Sequence, residues 1–118
     1  MNTFFPGMLM IVAGLLSGCS DSSSEHSTPV VQIDPVLVEG EQLYKSNCKV
    51  CHAQGINGAP IVGNAKMWAG RAGKGIPQLV ANASNGFGLM PAKGGNDSLA
   101  ESQIESVVTY MVSRIPVE

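Results

Sequence analysis

The 118-residue chain is poor in aromatic residues, at 5%, and poor in charge, with 14% Lys, Arg, Asp and Glu together. No dense Lys/Arg run is present and the formal net charge is −2, which removes the electrostatic footprint expected of a nucleic-acid binder. There is no internal repeat and no period-two alternation long enough for a sheet, so the expected fold class is all-α. The length suffices for one small domain and excludes a large multi-domain enzyme. Fourteen glycines, seven prolines and few large side chains make a thin polypeptide core, so something else is expected to fill the interior. Three cysteines cannot all pair with one another, and each needs its own explanation.

Residues 4–16, FFPGMLMIVAGLL, form an uncharged run of thirteen, shorter than the roughly 20 residues of a membrane-spanning helix. The run reads as a signal-peptide core whose positive end rests on the terminal amine alone. Leu16, Ser17, Gly18 and Cys19 follow it, an apolar residue and two small ones before a thiol. This resembles the lipobox of bacterial lipoproteins, in which the cut falls before the cysteine and its thiol and new amino group are acylated. Several acyl chains anchor stably where one binds only marginally. The resemblance implies lipidation of Cys19 and attachment to a membrane in the bacterial periplasm, with Ser20 favouring the outer membrane over the inner. The alternatives are an ordinary secreted protein cut nearby or an uncleaved anchor.

Residues 19–34, CSDSSSEHSTPVVQID, have the composition of a solvated tether. Residues 35–118 remain for one domain, small enough for a prosthetic group to aid its folding. Pro35 suits a helix start, and Leu37, Gly40, Leu43, Tyr44 and Asn47 recur at intervals of three and four, which predicts a helix over 36–48. A loop over 55–63 and a short helix over 64–70 capped by Asn64 follow. Pro77, Leu79, Val80 and Ala83 suggest a third helix ended by Gly86, before the loop GFGLMPAKGGN. Ser98 and Glu101 form a capping-box pattern ahead of Ile104, Val107, Val108, Met111 and Ile115 at helical spacing.

Cys48-Lys49-Val50-Cys51-His52 is C-x-x-C-H, the pattern of covalent c-type haem attachment. Two thiols three positions apart can add across the two vinyl groups of one porphyrin edge, and the next residue then places an imidazole below the iron. A redox C-x-x-C would need a βαβ setting, which is absent. A zinc site would need four ligands, and the other His and Cys residues are His26 in the tether and Cys19 at the anchor. One haem c then uses two cysteines and the lipid uses the third. For the second axial ligand, Met111 reads as core, Met67 sits beside Trp68, and Met90 lies in a glycine-rich loop whose backbone can approach the porphyrin, with Pro91 holding it extended. Met90 is the expected ligand opposite His52.

These residues carry a resemblance to class I c-type cytochromes, and more narrowly to the small bacterial cytochrome c5-like group. It spans roughly 38–115 and rests on Gly40-x-x-x-Tyr44-x-x-x-Cys48, Gly58-Ala59-Pro60, Trp68-Ala69-Gly70-Arg71, Met90-Pro91-Ala92-Lys93-Gly94-Gly95 and Val107-x-x-Tyr110-Met111. The resemblance implies a cytochrome c fold, three to five short helices wrapped around one covalently bound haem. It implies that the first and last helices cross through Gly40, Tyr44, Val107 and Tyr110. It further implies that the Pro60 carbonyl orients His52 and that Trp68 and Arg71 lie near a haem propionate. Better-known members carry an extra cysteine pair near the Gly-Gly turn, whereas here Asn96 follows Gly95.

With both axial positions filled, the expected function is one-electron transfer between redox partner proteins, with no catalytic residues. The soft thioether raises the potential relative to a two-histidine site. The rival readings are a haem enzyme or a gas- or peroxide-responsive protein with an open sixth position, and a haem subunit of a membrane redox complex. From residue 35 onward seven Lys and Arg oppose six Asp and Glu, so no strong steering field follows. Lys45 and Lys49, four apart on the helix leading to the haem motif, are expected near the exposed haem edge.

Overall fold

The computed structural model describes residues 32–117. The signal segment, Cys19 and most of the tether lie outside them. The elements are α1 (Pro35–Leu43), a π-helical turn (Tyr44–Cys48), α2 (Lys49–His52), a 3₁₀ turn (Ile56–Gly58), α3 (Ala65–Ala72), α4 (Ile76–Asn85), a second 3₁₀ turn (Ala92–Gly95) and α5 (Glu101–Ser113). Among the described residues there is no strand, only an isolated antiparallel bridge between Phe87 and Met90, as the all-α expectation requires. No described helix is long and apolar enough to cross a membrane.

Local chemistry sets most helix ends. The Asp34 carboxylate accepts from Val36 N at 2.9 Å and Pro35 opens α1, where its missing N–H leaves nothing unpaired. Asn64 caps α3 by accepting from Met67 N at 3.1 Å. Gly86 ends α4 with φ of 85°. The start of α5 departs from expectation. Its N-cap is Ala100, whose N–H donates to Gln103 Oε1 at 3.0 Å, while Ser98 instead hydrogen-bonds Asn96. An amide two residues downstream of Glu101 thus does the capping, because Leu99 is drawn into the core and delays the helix.

The first helix also runs further than expected, through a wide turn. Tyr44–Cys48 is π-helical, with Lys49 N–H donating to Tyr44 O, and helical structure continues to His52. Ser46 Oγ and Asn47 Nδ2 donate to the carbonyls of Gln42 at 2.7 Å and Leu43 at 3.1 Å at the entry to this turn. One extra residue per turn rotates everything downstream by about 100°. Tyr44 packs on Tyr110 of α5, and Cys48 packs against the apolar cluster to which Tyr44 belongs.

The crossing of α1 and α5 is the backbone of the domain. A Cβ on Gly40 would lie 2.3 Å from Ser106 O and 2.6 Å from Tyr110 Cβ, so only glycine permits this approach. Tyr44 and Tyr110 pack with ring centroids 5.7 Å apart. Buried Ser106 donates to Glu39 Oε2 at 2.7 Å, which fixes the register of the crossing. Two apolar clusters flank it, Tyr44, Trp68, Val107 and Met111 on one side and Val80, Leu99, Ile104 and Val108 on the other.

Candidate functional site

A cavity of about 340 Å³ opens between α2, α4, α5 and the loop after α4, and its wall is mostly apolar. Cys48, Cys51, His52, Pro60, Trp68, Arg71 and Met90, expected from the sequence to serve one site, all line it.

On one side the π turn and α2 present the C-x-x-C-H residues. Both thiols are free and half-buried. Burial pushes the Cys48 thiol up to about 11, with the neighbouring Cys51 adding to the effect, so it stands as neutral S–H near neutral pH. His52 is buried, and its Nδ1–H donates to the Pro60 carbonyl at 3.0 Å. That bond fixes the ring and leaves Nε2 with its lone pair as the nitrogen able to bind a metal. Val62 N–H donates to His52 O at 2.9 Å, which folds the 59–62 segment back beneath the ring.

On the other side stands the loop bearing Met90. Phe87 and Met90 exchange both backbone hydrogen bonds at 3.0 Å, closing a tight turn with Gly88 and Leu89 at its tip. Gly86, at φ 85°, brings α4 so close to this loop that a Cβ would lie 3.0 Å from Met90 O and Ala92 N. Of the other methionines, Met111 also reaches the cavity wall but belongs to the core cluster with Tyr44 and Trp68, and Met67 is not among the lining residues. Leu79, Ala83, Val107 and Val108 complete an apolar wall.

Trp68 contributes ring surface rather than a hydrogen bond, since its Nε1–H is spent on Ile61 O at 2.9 Å. Arg71 is exposed and donates to Met67 O. Neither Lys45 nor Lys49 is among the residues lining the cavity, and Lys45 pairs with Glu41 at 2.8 Å. The cations at the cavity are Arg71 and Lys74, the latter 5.9 Å from the Phe87 ring centroid. Lys74 carried no signal beyond its position one helical turn after Arg71. Asn47 lines the cavity too, and its partner Asn96 lies 49 residues away, beyond any local pattern.

The donor set suits a c-type haem: two thiols and an oriented imidazole at one wall, a thioether-bearing loop at the other, and hydrocarbon between. Comparison with known proteins agrees. The family model described as cytochrome C oxidase, cbb3-type, subunit III matches residues 35–111. Cytochrome c-555 of Chlorobaculum thiosulfatiphilum is 42% identical over 79 residues, covering 64% of this chain and 92% of that protein. Cytochrome c5 of Ectopseudomonas mendocina is 27% identical over 73 residues, covering 60% and 84%. A chain in the crystal structure of an electron transfer complex of nitrite reductase with cytochrome c superimposes with a TM-score of 0.64 at 38% identity, covering 72% of this chain and all of that one. Matched over most of its domain and most of its relatives' length, the chain belongs to the class I c-type cytochromes, electron carriers that hold one covalent haem c.

Proposed function

We propose that the protein is a membrane-tethered one-electron carrier whose haem iron is held by His52 Nε2 and Met90 Sδ. The observation that carries this reading is the convergence of Cys48, Cys51, His52 and Met90 on one apolar cavity. The haem supplies a ferric/ferrous couple. The protein's share is positioning. Cys48 and Cys51 fix the macrocycle by thioether bonds, and the Pro60 carbonyl holds the imidazole in one tautomer and orientation. The Phe87/Met90 turn presents the thioether, and Leu79, Ala83, Val107 and Val108 exclude water, which disfavours added charge and raises the potential. Held by both residues, the iron would offer no site for substrate and would serve electron transfer alone.

Partner docking belongs to the cavity mouth. Phe87 and Leu89 are 60% and 73% exposed, the exposed Ile56 lines the same cavity, and the charged side chains at the cavity, Arg71 and Lys74, are both cationic. This suits a redox partner with an apolar contact ringed by carboxylates. Lipidation of Cys19 would hold the domain at the periplasmic face of a membrane, the outer membrane favoured. The oxidase-subunit description of the family model keeps a second reading open, a haem subunit of a membrane complex, which stable co-purification with larger redox proteins distinguishes from a tethered shuttle.

The test is the absorption spectrum of the holoprotein, oxidised and reduced, with and without carbon monoxide. The expected spectrum is low-spin, indifferent to carbon monoxide, with a weak long-wavelength ferric iron–sulfur band that Met90→Ala abolishes. A high-spin spectrum or ready carbon monoxide binding overturns the ligand pair and favours an enzyme or sensor. Labelled fatty acid incorporated by the wild type and not by Cys19→Ser tests the anchor.

A further inference from the structure

The loop that bears Met90 is held together almost entirely by bonds within itself. Phe87 and Met90 pair with each other, Gly94 N–H donates to Pro91 O at 3.1 Å, and Asn96 N–H donates to Lys93 O at 3.2 Å. Lys93 adopts φ of 54°, costly for a residue with a side chain, and its ammonium donates to Leu99 O at 2.8 Å. None of these bonds ties the loop to the helical segment that carries Cys48 and His52. One does: Asn96 Nδ2 donates to Asn47 Oδ1 at 2.8 Å, and among the described residues no other hydrogen bond joins the two.

The pairing has a direction that neighbouring groups enforce. Asn47 Nδ2 donates to Leu43 O at 3.1 Å and to Ser46 Oγ at 3.2 Å, so the amide oxygen is the end that faces Asn96. Asn96 Oδ1 accepts from Ser98 N at 3.2 Å and from Ser98 Oγ, so its NH₂ is the end that faces Asn47. Each amide is oriented on its far side, and donor meets acceptor without ambiguity. Both side chains are half-buried, Asn47 sits on the cavity wall, and the π turn is what delivers it there.

We propose that Asn47 and Asn96 form a latch that closes the Met90 loop against the haem-bearing helix and sets how readily an outside ligand displaces Met90 from iron. They are positioning residues, and the inference rests on His52/Met90 ligation. Opening the latch frees the loop without touching the thioethers, His52 or Met90. Direction gives the latch a signature. Asn96→Asp is isosteric yet turns an acceptor toward the Asn47 acceptor, which breaks the contact. Asn47→Asp keeps an acceptor, now charged, facing Asn96 Nδ2 and gives up instead the far-side donations to Leu43 O and Ser46 Oγ, so it spares the latch contact itself.

The experiment titrates the ferric holoprotein with imidazole, following loss of the iron–sulfur band, with thermal melts in parallel. A neutral hydrogen bond of ordinary net worth implies that Asn96→Asp and Asn96→Ala bind imidazole about fivefold more tightly than the wild type, with Asn47→Asp within about twofold. Imidazole affinity unchanged in both Asn96 variants overturns the latch, whether or not their melting temperatures fall. Asn47→Asp opening as far as Asn96→Asp overturns the directional pairing. A wild type that lacks the band defeats the ligand assignment beneath, a distinct outcome read before any variant is made.

Discussion

The two walls of the cavity are built by different means. Cys48, Cys51 and His52 stand on a helical stretch that is continuous with α1, and α1 is pinned to α5 by the Gly40 approach, the Tyr44–Tyr110 contact and buried Ser106. Met90 stands on a loop shaped by glycine torsions and short-range backbone bonds, with Leu89 exposed at its tip. Packing is cooperative with the whole fold, whereas a hydrogen-bonded loop can open while the rest stands. The wall that carries the two cysteines is therefore the rigid one, and the wall that carries Met90, the proposed exchangeable ligand, is the one that can yield. Substitutions on the first should act on folding, and substitutions on the second on ligation.

The largest expected effect removes what lies between the walls. With few aromatics in the sequence, the haem is the main filler of the interior, so Cys48→Ala combined with Cys51→Ala should leave a chain with no cooperative thermal transition. Far-ultraviolet circular dichroism during heating checks this, and a sharp transition without haem would mean that the helices form a core by themselves. Next comes Gly40→Ala, which forces a methyl group into the Ser106 backbone. The helices must part, at about 2 kcal/mol for overpacking, which lowers the melting midpoint of a domain this size by roughly 10 °C. The iron–sulfur band should survive in the protein that remains folded. Gly86→Ala should do the reverse. Its φ of 85° and its 3.0 Å approach to Met90 O put strain of about 1–3 kcal/mol directly on the ligand loop. Weakening of the band below the melting transition, with helix content intact, is the expected result. If both glycine variants change stability and band together, the walls are not separable.

Much of the fold was legible in the sequence, because its helices are marked by local signals. C-x-x-C-H, the Asn64 cap, Pro77 at a first turn and the Ile104, Val107, Val108, Met111 stripe each need only a few neighbouring residues to be read. The π turn was not legible, since nothing from Tyr44 to Cys48 breaks an ordinary helical pattern. Ser98 failed as a cap because Leu99 is buried, which is a tertiary demand. The basic residues that line the cavity are other ones. Lys45 and Lys49 share a helical stretch with the haem motif and do not line the cavity, where α3 and the turn after it bring Arg71 and Lys74.

That displacement yields a smaller, kinetic prediction. Lys74→Glu should slow reduction by a partner with an acidic docking face several-fold at low ionic strength, with the difference fading in high salt. Lys45→Glu should leave the rate unchanged. Stopped-flow mixing over a salt series measures both, and equal slowing would move the docking surface onto the helical wall.

The smallest effect is expected where the rigid wall meets solvent. Lys45 hydrogen-bonds Glu41 and, with its charge, holds that carboxyl below its ordinary range, yet both groups are open to screening water. A carboxylate whose folded value is lowered adds stability above its unfolded value and loses it as the pH falls through the lowered one. Any contribution from the pair must then appear near neutrality at low salt and disappear in acid. Glu41→Gln should shift the melting midpoint too little to resolve under physiological salt, and the two proteins should melt alike below the carboxylate range. A loss near neutral pH as large as that of Gly40→Ala would place the strength of the helical wall in its surface charges, and the contrast between a packed wall and a hydrogen-bonded one would fall with it.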